Sequence, residues 1–235
     1  MSADTSDIFL DLPVLLDYCR ADLPECDVTR TMVNRFDGGS VNMSGSVYEF
    51  WHSSVMNILE LLKYLKSKAD EYGETRDTDH PDEEFVDDIL NLEHLNEESS
   101  ISFDIGDSYS ETVSKHSDYV QENGLTDYRI YLDTHLTNCS EAHSRLDQII
   151  DNRCDPVVGD SMWVRTRLKS FGLYPFHPDS LVDAHYWSKS GGDVILIRDG
   201  DRAGYDHSEL RNALLTDVDG DTQVLSPEEV ASSVS

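Results

Sequence analysis

Asp7-Ile8-Phe9-Leu10-Asp11-Leu12-Pro13-Val14-Leu15-Leu16-Asp17-Tyr18 is the stretch on which the fold turns. Its first apolar run is short and ends on a carboxylate, which predicts a buried strand. A second apolar run follows at once and predicts the opening turns of a helix over Leu12–Cys19. Asp11 then stands at the carboxyl end of a strand, where open α/β sheets gather their ligands. Near the other end of the chain, Asp193-Val194-Ile195-Leu196-Ile197 is again a buried-strand run, and Arg198-Asp199-Gly200-Asp201 follows directly. Two strands that deliver acids to one sheet edge suit a metal ion better than a scattered pair would.

Working outward, residues 40–44 read as a second short strand. A long amphipathic helix follows, with Val47, Phe50, Trp51, Val55, Ile58, Leu61, Leu62 and Leu65 at helical spacing. Ser46 and Glu49, three residues apart, fit a capping box at its start. Towards the C-terminus a helix over 179–189, a strand over 193–197, a helix over 207–215, a strand over 222–225 and a final turn or helix over 227–233 complete an alternating pattern. This predicts an α/β fold, a parallel sheet of about four to five strands flanked by helices. One domain over 5–235 is expected, interrupted at about 68–160 by an acidic, mostly helical insertion. Within it, residues 70–98 carry many acids and one basic residue, Arg76, and apolar runs around Phe85–Leu92, Tyr128–Leu136 and Ala142–Ile150 suggest helices.

The 235 residues carry 47 acids against 18 Lys and Arg, a formal net charge of −29, so the chain is large enough for a sizeable core but extreme in charge. A disordered acidic tail does not explain this, because the acids run through segments of good helical periodicity. A partner with a basic surface is a second explanation. Adaptation to molar salt, as in a halophile, fits best: at ~1 M salt the screening length is about 3 Å, and an anionic substrate is no longer repelled. Cys19, Cys26, Cys139 and Cys154 form no CxxC pair, and the spacing of Cys139, His143 and Cys154 does not match a zinc knuckle. No run approaches the roughly 18 apolar residues of a membrane span. Met1-Ser2-Ala3-Asp4 opens without a basic region, so a cytoplasmic, reduced protein with no membrane contact is expected.

Four acids are placed to meet at one sheet edge: Asp11 after the first strand, Glu49 in the first turn of the long helix, Asp183 on the helix before the later strand, and Asp199 after that strand. Asp201 is a fifth candidate ligand. Hard cations such as Mg²⁺ or Mn²⁺ take oxygen ligands, and a few carboxylates suffice. Two such ions can activate water against a phosphodiester.

The order and context of these acids resemble the PIN-domain family of metal-dependent ribonucleases. Phe9-Leu10-Asp11 with Val14-Leu15-Leu16-Asp17-Tyr18 resembles its first motif, and Ser44-Gly45-Ser46-Val47-Tyr48-Glu49 its second. Val182-Asp183-Ala184-His185 resembles the third, and Ile195-Leu196-Ile197-Arg198-Asp199-Gly200-Asp201 the fourth. Residues 222–229 are similar to the family's last strand and its exit. The resemblance covers roughly 5–66 and 160–232. It implies a PIN-like endoribonuclease that hydrolyses RNA with Mg²⁺ or Mn²⁺, with Asp11, Glu49, Asp183 and Asp199 catalytic. It also implies a homodimer and a protein partner such as an antitoxin. Two positions depart from the family: Leu12-Pro13 replaces a polar pair after the first acid, and Ile197 replaces a hydroxyl residue two positions before the fourth. These departures favour an alternative, a catalytically weakened PIN-like binding or regulatory module that uses the acidic insertion for partner contacts.

Simpler roles compete for each residue. Asp11 followed by Pro13 also fits a helix N-cap, Glu49 fits the capping box alone, and Asp199 and Asp201 fit a polar turn. Asp17 reads as a solvated helix acid and His185 as a packing or surface histidine. Arg165, Arg167 and Lys169 alternate beside Trp163, which suits single-stranded nucleic acid or neutralisation of the acidic insertion. Arg198 and Arg202 flank the fourth acid and suit a scissile phosphate. Asp217, Asp219, Asp221 and Glu228 match four positions of a calcium loop, but Thr222 stands where that loop needs glycine, so a polar turn is expected.

Overall fold

The computed structural model describes residues 6–20, 24–35, 39–75, 106–154, 162–169, 171, 177–198 and 206–232. They divide into two compact units, one of residues 1–53 and 142–235 and the other of residues 54–141.

The first unit holds five parallel strands: β1 (Ile8–Leu10), β2 (Val41–Ser44), β3 (Ile150–Cys154), β4 (Val194–Leu196) and β5 (Gln223–Leu225). Their order across the sheet is β3-β2-β1-β4-β5. In register, Phe9 lies beside Asn42 and Ile195, and Ile195 beside Val224. The Phe9 face packs on α5 (Met162–Lys169), α6 (His177–Lys189) and α7 (His207–Leu214) through Val164, Leu168, Leu181, Val182, Leu210 and Leu214. The alternate residues Ile8, Leu10, Val41, Met43, Val194 and Leu196 are buried as well. A sheet covered on both faces reads as continuous apolar runs, which is why β1 and β4 stand out in the sequence.

Local chemistry sets the ends of the elements. The Asp11 carboxylate accepts the Leu12 N–H at 2.8 Å and caps α1 (Leu12–Cys19), while Pro13 occupies the first turn, where no N–H is needed. Between α6 and β4 the chain turns through Gly191 at φ +95°, and Gly192 lies so close to the Trp187 ring that a Cβ there would come within 2.4 Å of it. A capping box does form in this fold, at α8 (Pro227–Ser232): Ser226 and Glu229 exchange bonds of 2.9 and 3.2 Å, and Arg211 holds the Glu229 carboxylate with both contacts at 3.0 Å or less. It does not form at Ser46 and Glu49. There Ser44 caps a short 3₁₀ turn, Gly45–Val47, that leads into α3 (Tyr48–Thr75).

Three elements escaped the sequence reading. One is α5, whose segment stands out only for the alternating basic residues beside Trp163. Another is α2 (Pro24–Asn34), a helix of low apolar content. The third is β3, an edge strand whose Asp151, Asn152 and Arg153 hide the alternation.

The second unit pairs the later turns of α3 with residues of α4 (Gly106–Ile149). Leu61, Leu62, Leu65 and Ala69 pack against Val120, Leu125, Tyr128 and Leu132. Gly124, with φ 82° and ψ 171°, breaks α4 into two helices. Lys66 bridges Asp133 and Asp70, and Arg129 donates to the carbonyls of Ala69 and Asp70. The boundaries of this unit differ from the expected 68–160, and it has a buried core of its own. Residues 76–105, with most of the acidic run and the Phe85–Leu92 segment, lie outside the described residues. No helix among the described residues is long and apolar enough to cross a membrane.

Candidate functional site at the carboxyl edge of the sheet

The strand order reverses between β1 and β4, so the carboxyl ends of these two strands mark the topological switch point of the sheet. Asp11 closes β1 at this point. Its backbone N–H donates to the Leu196 carbonyl of β4 at 3.1 Å, and its side chain is fully buried. The cap it provides to α1 accounts for one contact of the carboxylate, so the capping role foreseen for Asp11 is present.

Asp183 is brought to the neighbouring strand end by α6. It is 3% exposed, and one oxygen accepts the hydroxyls of Ser44 at 2.5 Å and Ser46 at 2.9 Å. Ser44 ends β2, and Ser46 lies in the 3₁₀ turn beyond it. One turn earlier on the same helix, the Ser180 hydroxyl accepts the Leu12 N–H at 3.2 Å. Positions 180 and 183 share a helix face, so one face of α6 lies across the carboxyl ends of both β1 and β2. A carboxylate buried this deeply is costly without partners, and the two serine hydroxyls answer that cost. Sequence reading assigned Ser46 only a capping role, and none to Ser44 or Ser180 beside the acids, although two serines within three residues of a strand's carboxyl end were a usable signal.

Asp17 differs from its expectation. It is 3% exposed, not solvated, and Arg198 donates to it at 2.9 Å. Arg198 leaves β4, so the pair links α1 to the segment that follows the fourth strand. The guanidinium proposed for a phosphate is therefore engaged by an acid. Arg165 is likewise ion-paired, with Asp179, while Arg167 lies over the Trp163 ring at 4.8 Å. Lys189 approaches the same ring at 5.8 Å. Glu49 sits exposed in the first turn of α3, and Ser46, its expected capping partner, is turned to Asp183. Asp199, Asp201, Arg202 and the Lys169 side chain lie outside the described residues.

His185 is a packing residue. It is fully buried, its Nδ1–H donates to the Leu214 carbonyl at 2.6 Å, and its ring meets Trp163 edge-on. Burial pushes its pKa below the usual histidine value, with Lys189 and Arg167 adding to that shift and the Leu214 bond and Asp217 opposing it. Asp217, Asp219 and Asp221 are exposed in the turn after α7. Among the described residues no group of three or more His, Cys, Asp or Glu side chains is gathered to hold a metal. Two of the acids expected at the edge, Asp11 and Asp183, are set at adjacent strand ends.

No protein-family model, curated protein or solved structure matches the chain.

Proposed function

We propose that the carboxyl edge of the sheet is a divalent-cation site at which the chain hydrolyses RNA phosphodiester bonds, as a PIN-like endoribonuclease. The observation that carries this reading is the buried Asp183, held by Ser44 at the end of β2, beside the switch point where Asp11 ends β1. Their donor set of carboxylate oxygens fits Mg²⁺ or Mn²⁺. Asp11 and Asp183 would hold the ion, with Asp199, Asp201 and Glu49 as further ligands. When bound, such an ion lowers the pKa of water and stabilises negative charge at phosphorus.

The protein's own part is positioning. Ser44 and Ser46 fix the rotamer of Asp183, the cap at Leu12 fixes Asp11, and Ser180 ties α6 to the same turn. The β1–α1 turn, Leu10-Asp11-Leu12-Pro13, has none of the glycines that let a dinucleotide pyrophosphate approach, which favours an acid-based site over a nucleotide cofactor. Of the cations assigned to RNA, Arg167 beside Trp163 and Lys169 and Arg202 remain in that role, while Arg198 and Arg165 hold acids.

A second reading, the weakened binding module, draws support from the same contacts. Asp11 already caps a helix, Asp183 already takes two hydroxyls, and Asp17 neutralises Arg198. The test is cleavage of a mixed RNA pool in about molar KCl with Mn²⁺, comparing wild type with Asp183→Asn. Asparagine keeps an acceptor for Ser44, so the variant is expected to fold. Discrete fragments that vanish in the variant support the nuclease. Intact RNA with both folded proteins rejects it, and an RNA or protein complex insensitive to Asp183→Asn supports the module.

A further inference from the structure

His52 on α3 and His143 on α4 meet inside the first unit. His143 Nε2 and His52 Nδ1 are 3.1 Å apart. Two imidazole nitrogens bound side by side to one transition metal, each at about 2.05 Å, are separated by about 3.0–3.3 Å. The observed separation lies in that range. The ring centres are 5.0 Å apart with the planes at 48°. Rings meeting head-on through a single N–H···N bond of this length would place their centres about 5.4 Å apart. Rings aimed at a common point about 2.05 Å from each nitrogen would place them about 4.8 Å apart. The pair is tipped toward the second arrangement.

We propose that His52 and His143 form a two-imidazole clip for a borderline transition-metal ion of the Zn²⁺, Ni²⁺ or Cu²⁺ class, with water completing the coordination. Imidazole suits these ions and does not suit Mg²⁺, so the clip is chemically distinct from the carboxylate edge and does not rest on the nuclease reading. The surroundings prepare both rings. Tyr48 stacks on His52, and Trp51 packs 5.2 Å from His143, which limits the rotamers of each. Burial, then the neighbouring His52, push the His143 pKa down, against the opposing charge of Asp147. Asp147, one turn beyond His143, supplies a negative charge beside the site. It is itself oriented by the Tyr48 hydroxyl at 3.0 Å and by Arg153 at 3.3 Å. Two ligands on separate helices would tie α3 to α4, so bound metal adds stability by mass action.

The test is calorimetric titration of the full chain with ZnCl₂ in buffer saturated with Mg²⁺, using wild type, His52→Ala, His143→Ala and Asp183→Asn. One equivalent of Zn²⁺ is expected, weakened at least about tenfold in either histidine variant and unchanged in Asp183→Asn. Zinc binding that survives both histidine variants, or that is lost only in Asp183→Asn, overturns the proposal. So does wild type that binds no zinc, which would leave a plain hydrogen-bonded pair. If a histidine variant does not fold, diethylpyrocarbonate labelling of wild type decides. Zinc should protect His52 and His143 from modification, and equal labelling with and without zinc rejects the clip.

Discussion

The sheet edge and the helical unit bury very different chemistry. At the edge, Asp11, Asp17, Ser44, Ser180 and Asp183 are all buried, each with a specific partner. In residues 54–141 the described buried polar side chains are only Ser54 and His116, and the seam is leucine, valine, alanine and tyrosine. Charges there, such as Lys66 with Asp133 and Arg129 with Asp70, are partly exposed. An apolar seam is the cheaper way to hold two helices together, because burying an ion seldom beats a hydrophobic contact of the same shape. A fold that keeps two buried carboxylates at adjacent strand ends therefore gains little stability from them. That asymmetry is the contrast on which the proposed reading of the edge rests, set against plain packing in the helical unit.

The comparison breaks first at Asp183. If the edge is the proposed nuclease site, Asp183→Asn should reduce cleavage more than about 100-fold while leaving the melting temperature nearly unchanged. Ser44→Ala, which removes one of the two hydroxyls that orient the carboxylate together with the cap on the 3₁₀ turn, should weaken Mn²⁺ binding about 10–100-fold. Calorimetry and RNA cleavage on both variants check this. A large stability loss with unchanged metal binding would make Asp183 a structural acid.

In the helical unit, Leu65→Ala should behave in the opposite way. Leu65 is fully buried in the seam, so its truncation should cost about 2–5 kcal/mol. Hydrogen exchange should then show protection lost in residues 54–75 and 115–141 and retained in β1 and β4. Uniform loss across both regions would show that the two units unfold as one.

Arg198→Ala tests the ion pair at the edge. Asp17 is 5% exposed at its side chain and Arg198 is 21% exposed, so water partly screens the pair. Breaking a fully buried pair costs about 3–5 kcal/mol; with this screening about 2 kcal/mol is expected. Denaturant unfolding measures it. The double variant Asp17→Asn with Arg198→Ala should recover most of the loss, because no uncompensated charge remains buried. A double variant no better than the single would place the effect in lost packing of Arg198 and not in the charge.

The sequence exposed much of this architecture and less of the site. β1, β4 and α1 were legible because a doubly covered strand is a dense apolar run and a capped helix carries Asp followed by Pro. α6 was legible from its place in the strand–helix alternation. α2 and β3 were not: one has few apolar residues, and the other is an edge strand with polar residues on it. The acids Asp11 and Asp183 could be named from their strand and helix context. The serines around them could not, since Ser44 and Ser46 lie 139 and 137 residues from Asp183, and Ser180 lies 168 residues from the Leu12 N–H it accepts. The same blindness made Asp17 look solvated, because the arginine that compensates it arrives from β4, 181 residues later. Tertiary partners decide whether a buried polar group is tolerated, and local pattern carries no trace of them.

His185 offers the smallest effect and the cleanest sign. Its pKa is lowered in the folded protein, chiefly by burial, against the Leu214 carbonyl bond and Asp217, which raise it. The unfolded chain therefore binds a proton near pH 6.5 that the folded chain resists. Its contribution to stability is complete above that pH and is lost as the pH falls below it toward the folded value. Total stability also responds to the carboxylates, whose protonation relieves the repulsion of a chain at −29. The informative quantity is thus the difference between wild type and His185→Asn, in which the amide can still donate to Leu214 while carrying no titratable group. Between pH 7.5 and 5.5 the wild-type melting temperature should fall relative to the variant. Parallel curves would mean that His185 takes up its proton equally in both states, and that water reaches the ring beside Leu214.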